Sequence, residues 1–132
     1  MIGTSALAIA SAFNLVCSVT HISVDAKGAT ETSKRSFELR IDTEAMRWCA
    51  DECQRSNHIV QVLERWFILS EYPDGMFLGT ARGKNGSVFE LQTVNRENGQ
   101  YTFDRGIIGG AVEAELGKCE VAPFTGLPTI KF

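Results

Sequence analysis

Hydrophobic and polar residues alternate with a period of two along most of this chain. Ser87–Phe103 carries the clearest instance, two alternating runs flanking Asn98-Gly99. That dipeptide is a strong hairpin signal, because both residues tolerate positive φ in a two-residue turn. Phe89, Leu91 and Thr93 share one face of the first arm, with Glu90 and Gln92 opposite. Tyr101 and Phe103 share a face of the return arm, with Thr102 and Asp104 opposite. The pair reads as half-buried, with one wet face.

The same period recurs on both sides of this hairpin. Phe13, Leu15, Cys17 and Val19 alternate with Asn14, Val16, Ser18 and Thr20, predicting a first strand. Asp25–Ser33 is polar and turn-like, and Lys34–Asp42 predicts a second strand with Phe37, Leu39 and Ile41 on one face. Thr43–Asn57 breaks the period and fits a helical turn or a short tight strand. β-branched and aromatic content favours strand over helix in Ile59–Leu69, read as Ile59–Val62 followed by Arg65–Leu69. Met76–Arg82 predicts a short strand before a turn at Gly83–Gly86. In the last run, Ala111–Val121, Val112, Ala114 and Leu116 face one way, and Glu113, Glu115 and Lys118 face or lie near the other. Seven to nine short strands follow, an all-β fold: a small antiparallel up-and-down barrel or a curved meander. Residues 13–124 form a single β domain and residues 125–132 a tail.

Size and charge add bounds. At 132 residues the chain is one domain, large enough to bury a core. A net charge of -3, with no basic stripe, excludes an obvious nucleic-acid binder. No apolar run reaches the roughly 18 residues of a membrane-spanning helix. Residues 1–12 are apolar and rich in small side chains, and Ala10-Ser11-Ala12 fits a signal-peptidase site.

Four cysteines allow three pairings. Barrels close by pairing first and last strands, which favours Cys17–Cys119 across that seam and leaves Cys49–Cys53 as a small local loop. The rival is a metal site, Cys49-x3-Cys53-x4-His58, with a fourth ligand from Cys17, Cys119 or His21. The two histidines, His21 and His58, read as surface or strand-end residues. Glu113, Glu115 and Glu120 read as the solvent face of the last strand. No metal, cofactor or catalytic residue is assigned. Trp48, Trp66, Tyr72 and Tyr101 are the candidate contacts to a ligand or partner, since the aromatics exceed what one thin sheet face needs.

Five short motifs carry a resemblance: Asn14–Ser18, Phe37–Asp42, Arg47-Trp48-Cys49 with Cys53, Val94–Tyr101, and Gly117-Lys118-Cys119-Glu120. Together they resemble a group of small exported β-rich proteins of alphaproteobacteria that carry no assigned function. The resemblance spans most of residues 13–124. It implies export to the periplasm or medium and a shared β fold, with no catalytic residue to transfer.

Three functions follow as expectations. The first is an exported, non-enzymatic binding module of the cell envelope, recognising a protein or an envelope component. A protein inhibitor is a sub-case by fold analogy, since secreted barrels fastened in this way include bacterial lysozyme inhibitors. The second is a lipocalin-like carrier, which needs a continuous apolar cavity. The third is an enzyme, which needs His21 or His58 within hydrogen-bond reach of a cysteine or carboxylate in a pocket. A monomer is the default, and an unpaired edge strand is the feature that permits dimerisation.

Overall fold

The computed structural model describes residues 11–80 and 83–128. The signal-like reading of residues 1–12 therefore falls almost wholly outside the described residues. Nine strands run in chain order: β1 (Ala12–Val24), β2 (Thr30–Asp42), β3 (Arg47–Ala50), β4 (Asn57–His58), β5 (Gln61–Val62), β6 (Trp66–Tyr72), β7 (Val88–Asn95), β8 (Gln100–Ile107) and β9 (Val112–Ala122). Every pairing is antiparallel, in the order β4-β3-β2-β1-β9-β8-β7-β6-β5, and the sheet curls into a half-barrel.

The first and last strands pair along eleven positions, from Asn14 opposite Ala122 to Val24 opposite Val112. Cys17 lies directly opposite Cys119, and the two are bonded. This seam lies in the middle of the sheet, and the ends of the sheet are elsewhere, at β4 and β5. Those two short strands are consecutive in the chain. Ile59 N–H donates to Met46 O on the β3 side, and Val60 N–H donates to Ile68 O on the β6 side. One short segment thus touches both ends of the curl.

The core fills the lower half of the concave face. Phe13, Leu15, Cys17 and Val19 from β1 meet Phe37, Leu39 and Ile41 from β2, with Trp48, Ile59, Phe67, Leu69, Val94, Tyr101 and Cys119 completing the cluster. Period-two alternation puts each set on one face, as the sequence predicts. β6 carries a bulge between Ile68 and Ser70, so Leu69 is the extra residue and Ser70, not Leu69, pairs with Gln92. The bulge leaves Leu69 O outside the ladder, and Trp48 Nε1 donates to it at 3.0 Å and to His58 O at 3.2 Å. The indole therefore joins β3, β4 and β6 where the curl comes round on itself.

Three expectations are corrected. The strand expected over Met76–Arg82 is, from Met76 to Thr80, a pair of tight turns, and its last two residues lie outside the described residues. Thr80 N–H donates to Gly75 O and Gly79 N–H to Met76 O, so the backbone bonds locally. The β7–β8 connection is longer than the two-residue turn read from Asn98-Gly99. Asn95 Oδ1 accepts from Glu97 N–H and Asn98 N–H, Asn95 O accepts from Gly99 N–H, and only Gly99 takes positive φ. β2 begins at Thr30, four residues before its predicted start, because its polar first half pairs with β1 as regularly as its apolar second half.

Candidate functional site

Parity along β9 builds the site. Cys119 must point inward to meet Cys17, so the alternate residues Gly117, Glu115 and Glu113 point inward too. The expectation that these glutamates form a solvent face is reversed. Glu115 is 4% exposed, whereas Leu116 is 52% exposed on the convex side. Gly117 permits the close approach of β1 and β9, since a Cβ there would lie 2.0 Å from Ser18 O.

The same parity applies to each neighbouring strand. His21 and Ser23 of β1 lie opposite Glu115 and Glu113, and Ser33 of β2 lies opposite His21. Across β8, Phe103 faces Glu115 and Arg105 faces Glu113. Across β7, Gln92 faces Phe103 and Glu90 faces Arg105. Tyr101 and Phe103 thus share the face of Glu90 and Gln92, while Phe89 and Leu91 turn to the convex side. Above the apolar core the concave face becomes a charged basin of about 510 Å³ lined by His21, Ser33, Arg35, Glu90, Gln92, Tyr101, Phe103, Arg105, Glu113 and Glu115.

Glu115 is the hub of this basin. It accepts from Arg35 Nε and Nη2, from His21 Nδ1 at 2.9 Å and from Tyr101 Oη at 3.5 Å. Burial by itself pushes the Glu115 pKa up, but the hydrogen bonds and charge of Arg35 and His21 outweigh it and hold the carboxyl below its ordinary range. The Glu115 hydrogen bond raises the Arg35 guanidinium, and burial drives the Tyr101 phenol well above its usual value. His21 Nε2 lies 3.5 Å from Glu113 Oε1, so the imidazole spans the two glutamates. Glu113 also pairs with Arg105 at 2.7 Å on the rim. Arg35 stacks over Phe37, 4.5 Å from the ring centroid, which fixes its stem. Ser70 Oγ is buried without a partner among the described residues, and the register sets Ser70 opposite Gln92 on this same face.

A testable consequence follows from the Glu115 shift. A carboxylate whose pKa is lower in the folded chain contributes stability above its unfolded pKa and loses it as pH falls through the folded value. Replacing Glu115 by Gln should therefore cost about 1–2 kcal/mol at pH 7, because Arg35 is half exposed and partly solvated. That gap should narrow on acidification below about pH 4.5, the unfolded range. Urea midpoints of both proteins from pH 7 to pH 3 measure it, and a gap independent of pH would remove the ionised Glu115 from the account. Asp104, raised by burial, acts with the opposite sign in both proteins and cancels in the difference.

The four aromatic candidates separate. Tyr101 forms the floor of the basin, donating to Glu115 and accepting from Gln92 Nε2 at 2.8 Å. Trp48 is buried in the core. Trp66 packs edge-on against Phe77 at 5.4 Å, away from the basin. Tyr72, 62% exposed, lines a separate, more apolar groove of about 540 Å³ with Pro73, Met76, Val88, Phe89 and Ile108. Sequence reading set His21, Glu113 and Glu115 aside as surface residues and did not single out Arg35, Glu90, Gln92 or Arg105. Counting by twos from Cys17 and Cys119 would have found His21, Glu113 and Glu115.

Both expected disulfides are present, Cys17–Cys119 and Cys49–Cys53, and no free cysteine remains. They take the thiols that the rival metal set required, and among the described residues no three His, Cys, Asp or Glu side chains group as a metal site. No helix among the described residues is long and apolar enough to cross a membrane. Two disulfides are what an oxidising compartment permits. The fold and site thus define a disulfide-fastened, curled β sheet with a charged concave basin. Comparison with protein-family models, curated proteins and solved structures finds no match, so this geometry carries the functional argument.

Proposed function

We propose that the protein is an exported, non-enzymatic binding module of the cell envelope that recognises a polar partner through the concave basin. The observation that carries this reading is the Glu115–Arg35–His21 network at the base of an open basin. A buried ionic cluster adds little net stability compared with apolar packing of the same volume. Here it also holds donors and acceptors in fixed positions facing solvent. Glu90 and Glu113 supply acceptors, Arg35 and Arg105 donors, and Phe103 an apolar surface. The partner suited to this lining offers hydrogen-bonding groups of both kinds, as an extended peptide or a glycan of the envelope does.

Two rival readings have weaker support. A lipocalin-like carrier needs an apolar cavity, but Phe13, Leu15, Leu39, Ile41, Phe67, Leu69 and Val94 fill the interior. The enzyme reading gains the histidine–carboxylate contact it called for, in His21 and Glu115. However, both ring nitrogens of His21 face carboxylates, and every cysteine is in a disulfide, so the histidine has no thiol to activate.

Site-specific photocrosslinking in intact cells tests the proposal. A benzophenone side chain in place of Glu90, within the basin, should give a discrete adduct that Glu115→Gln weakens. The same probe in place of Glu120, exposed on the convex face, should give none. Equal labelling from both positions, or none from the basin, would overturn the reading.

A further inference from the structure

β2 is more than three times as long as the stretch its outer neighbour covers, 13 residues against 4. It pairs with β1 over its whole length, Thr30–Asp42, but with β3 only from Leu39. From Thr30 to Ser36 every residue is exposed, and among the described residues this edge has no partner strand. The direction of its peptide groups is readable. Glu38 N–H donates to Asp51 Oδ1 and Glu38 O accepts from Asp51 N–H, so even-numbered residues of β2 point their peptides away from β1. In antiparallel geometry that alternation continues, and Thr30, Thr32, Lys34 and Ser36 present N–H and C=O to solvent.

Native sheets usually blunt such an edge with charge, above all lysine. Here both basic side chains are drawn back. Lys34 Nζ donates to Thr20 Oγ1 across the convex face at 3.1 Å, and Arg35 is folded inward onto Glu115. The stretch contains no proline and no bulge. It is also self-complementary. Glu31 and Arg35 lie two residues on either side of Ser33, and among the described residues Glu31 has no ion-pair partner.

We infer that a second copy of this chain pairs with the β2 edge, antiparallel, about a twofold axis through Ser33. Outward-pointing residues must oppose outward-pointing residues, which excludes any axis between two residues. Three axes then fit the exposed stretch near its centre. An axis through Thr32 sets Glu31 against Ser33 and gains no charge pair. An axis through Lys34 sets two lysines face to face. The axis through Ser33 brings Thr32 opposite Lys34 and Thr30 opposite Ser36 for hydrogen bonding, and Glu31 opposite Arg35 twice. Like charges directly opposite are unfavourable and opposite charges favourable, so charge selects the Ser33 register. The consequence reaches the basin. Arg35 lines it, so Glu31 of the second copy adds a carboxylate to the rim of each site, and the symmetric pair sets two basins side by side.

One strand ladder is smaller than a standard interface, so association is weak, with a dissociation constant on the order of 100 µM. Sedimentation equilibrium of the oxidised full chain, from about 1 µM to about 1 mM, spans that range. The wild type should pass from monomer to dimer. Glu31→Lys should raise the dissociation constant about tenfold, and Thr32→Pro, which removes an outward donor from an edge where proline fits, should abolish the dimer. Ser33→Cys should trap a covalent dimer on mild oxidation, while Thr32→Cys, off the axis and on the other face, should not. A monomer at every concentration overturns the inference. So does a dimer indifferent to Glu31→Lys and not trapped by Ser33→Cys, since either leaves the β2 edge unused even if Thr32→Pro fails to fold. The photocrosslinking of Glu90 reports partner recognition separately, so the two readings fail independently.

Discussion

Replacing Cys17 and Cys119 together by alanine should lower the unfolding free energy by about 4–5 kcal/mol, the largest loss expected from any single bond in the molecule. The bridge joins residues 102 apart in sequence, and a loop of that size confines the unfolded chain most strongly. It also lies inside the sheet, where the two strands most distant in sequence form adjacent rungs. Without it, pairing β1 with β9 must bear the full entropy of bringing the chain ends together. Since small domains are stable by only about 5–15 kcal/mol, the double variant should be marginal at 37 °C. Removing Cys49 and Cys53 together should cost less, about 2 kcal/mol on the same entropy relation, because they are four residues apart. Urea unfolding of both pairs, with unchanged slopes, makes the comparison. Equal losses would show that local strain or packing outweighs chain confinement.

Trp48→Ala should cost about 3–5 kcal/mol, the range for a large aromatic removed from a core. The indole does two separable things here. Its rings fill the space between β3 and β6, and its Nε1 satisfies the Leu69 carbonyl that the β6 bulge leaves unpaired. Trp48→Phe keeps most of the bulk and loses both hydrogen bonds, so it should cost about 1–3 kcal/mol, the desolvation of an orphaned carbonyl. Exchange of the Val60 amide, which bonds to the adjacent Ile68 carbonyl, should quicken in both variants more than exchange at the Cys17 seam. If Trp48→Phe matched the wild type in stability and exchange, closure would depend on packing alone.

Strand existence was legible because alternation is a property of neighbouring residues. Phe13–Val19 and Phe37–Ile41 present apolar side chains at every second position, and each set is buried as one face. The disulfides were legible through topology, since first and last strands that pair bring Cys17 to Cys119. Boundaries were less so. Thr30–Ser33 has no apolar pattern and is strand because β1 continues beside it, a tertiary reason. Met76–Thr80 has strand-like composition, but Gly75 just before it and Gly79 within it take positive φ and turn the chain locally.

The basin was the least legible part, and the physical reason is specific. Period-two reading says which residues share a face but not which face is inside. On β1 and β2 the apolar set settles the matter. On β9 one face carries Val112, Ala114 and Leu116 and the other Glu113, Glu115 and Cys119, and hydrophobicity alone chooses the wrong one as the inside. The Cys17–Cys119 bond overrides it and turns two glutamates inward. By itself, then, the sequence determined the all-β class and the apolar half of the interior, because these rest on local alternation, and it favoured the Cys17–Cys119 pairing that the structure contains. Only the tertiary structure decided that the other half is charged, that Arg35 and His21 converge on Glu115, and that β2 keeps an open edge. Each depends on the register between strands up to about a hundred residues apart, which no local pattern encodes.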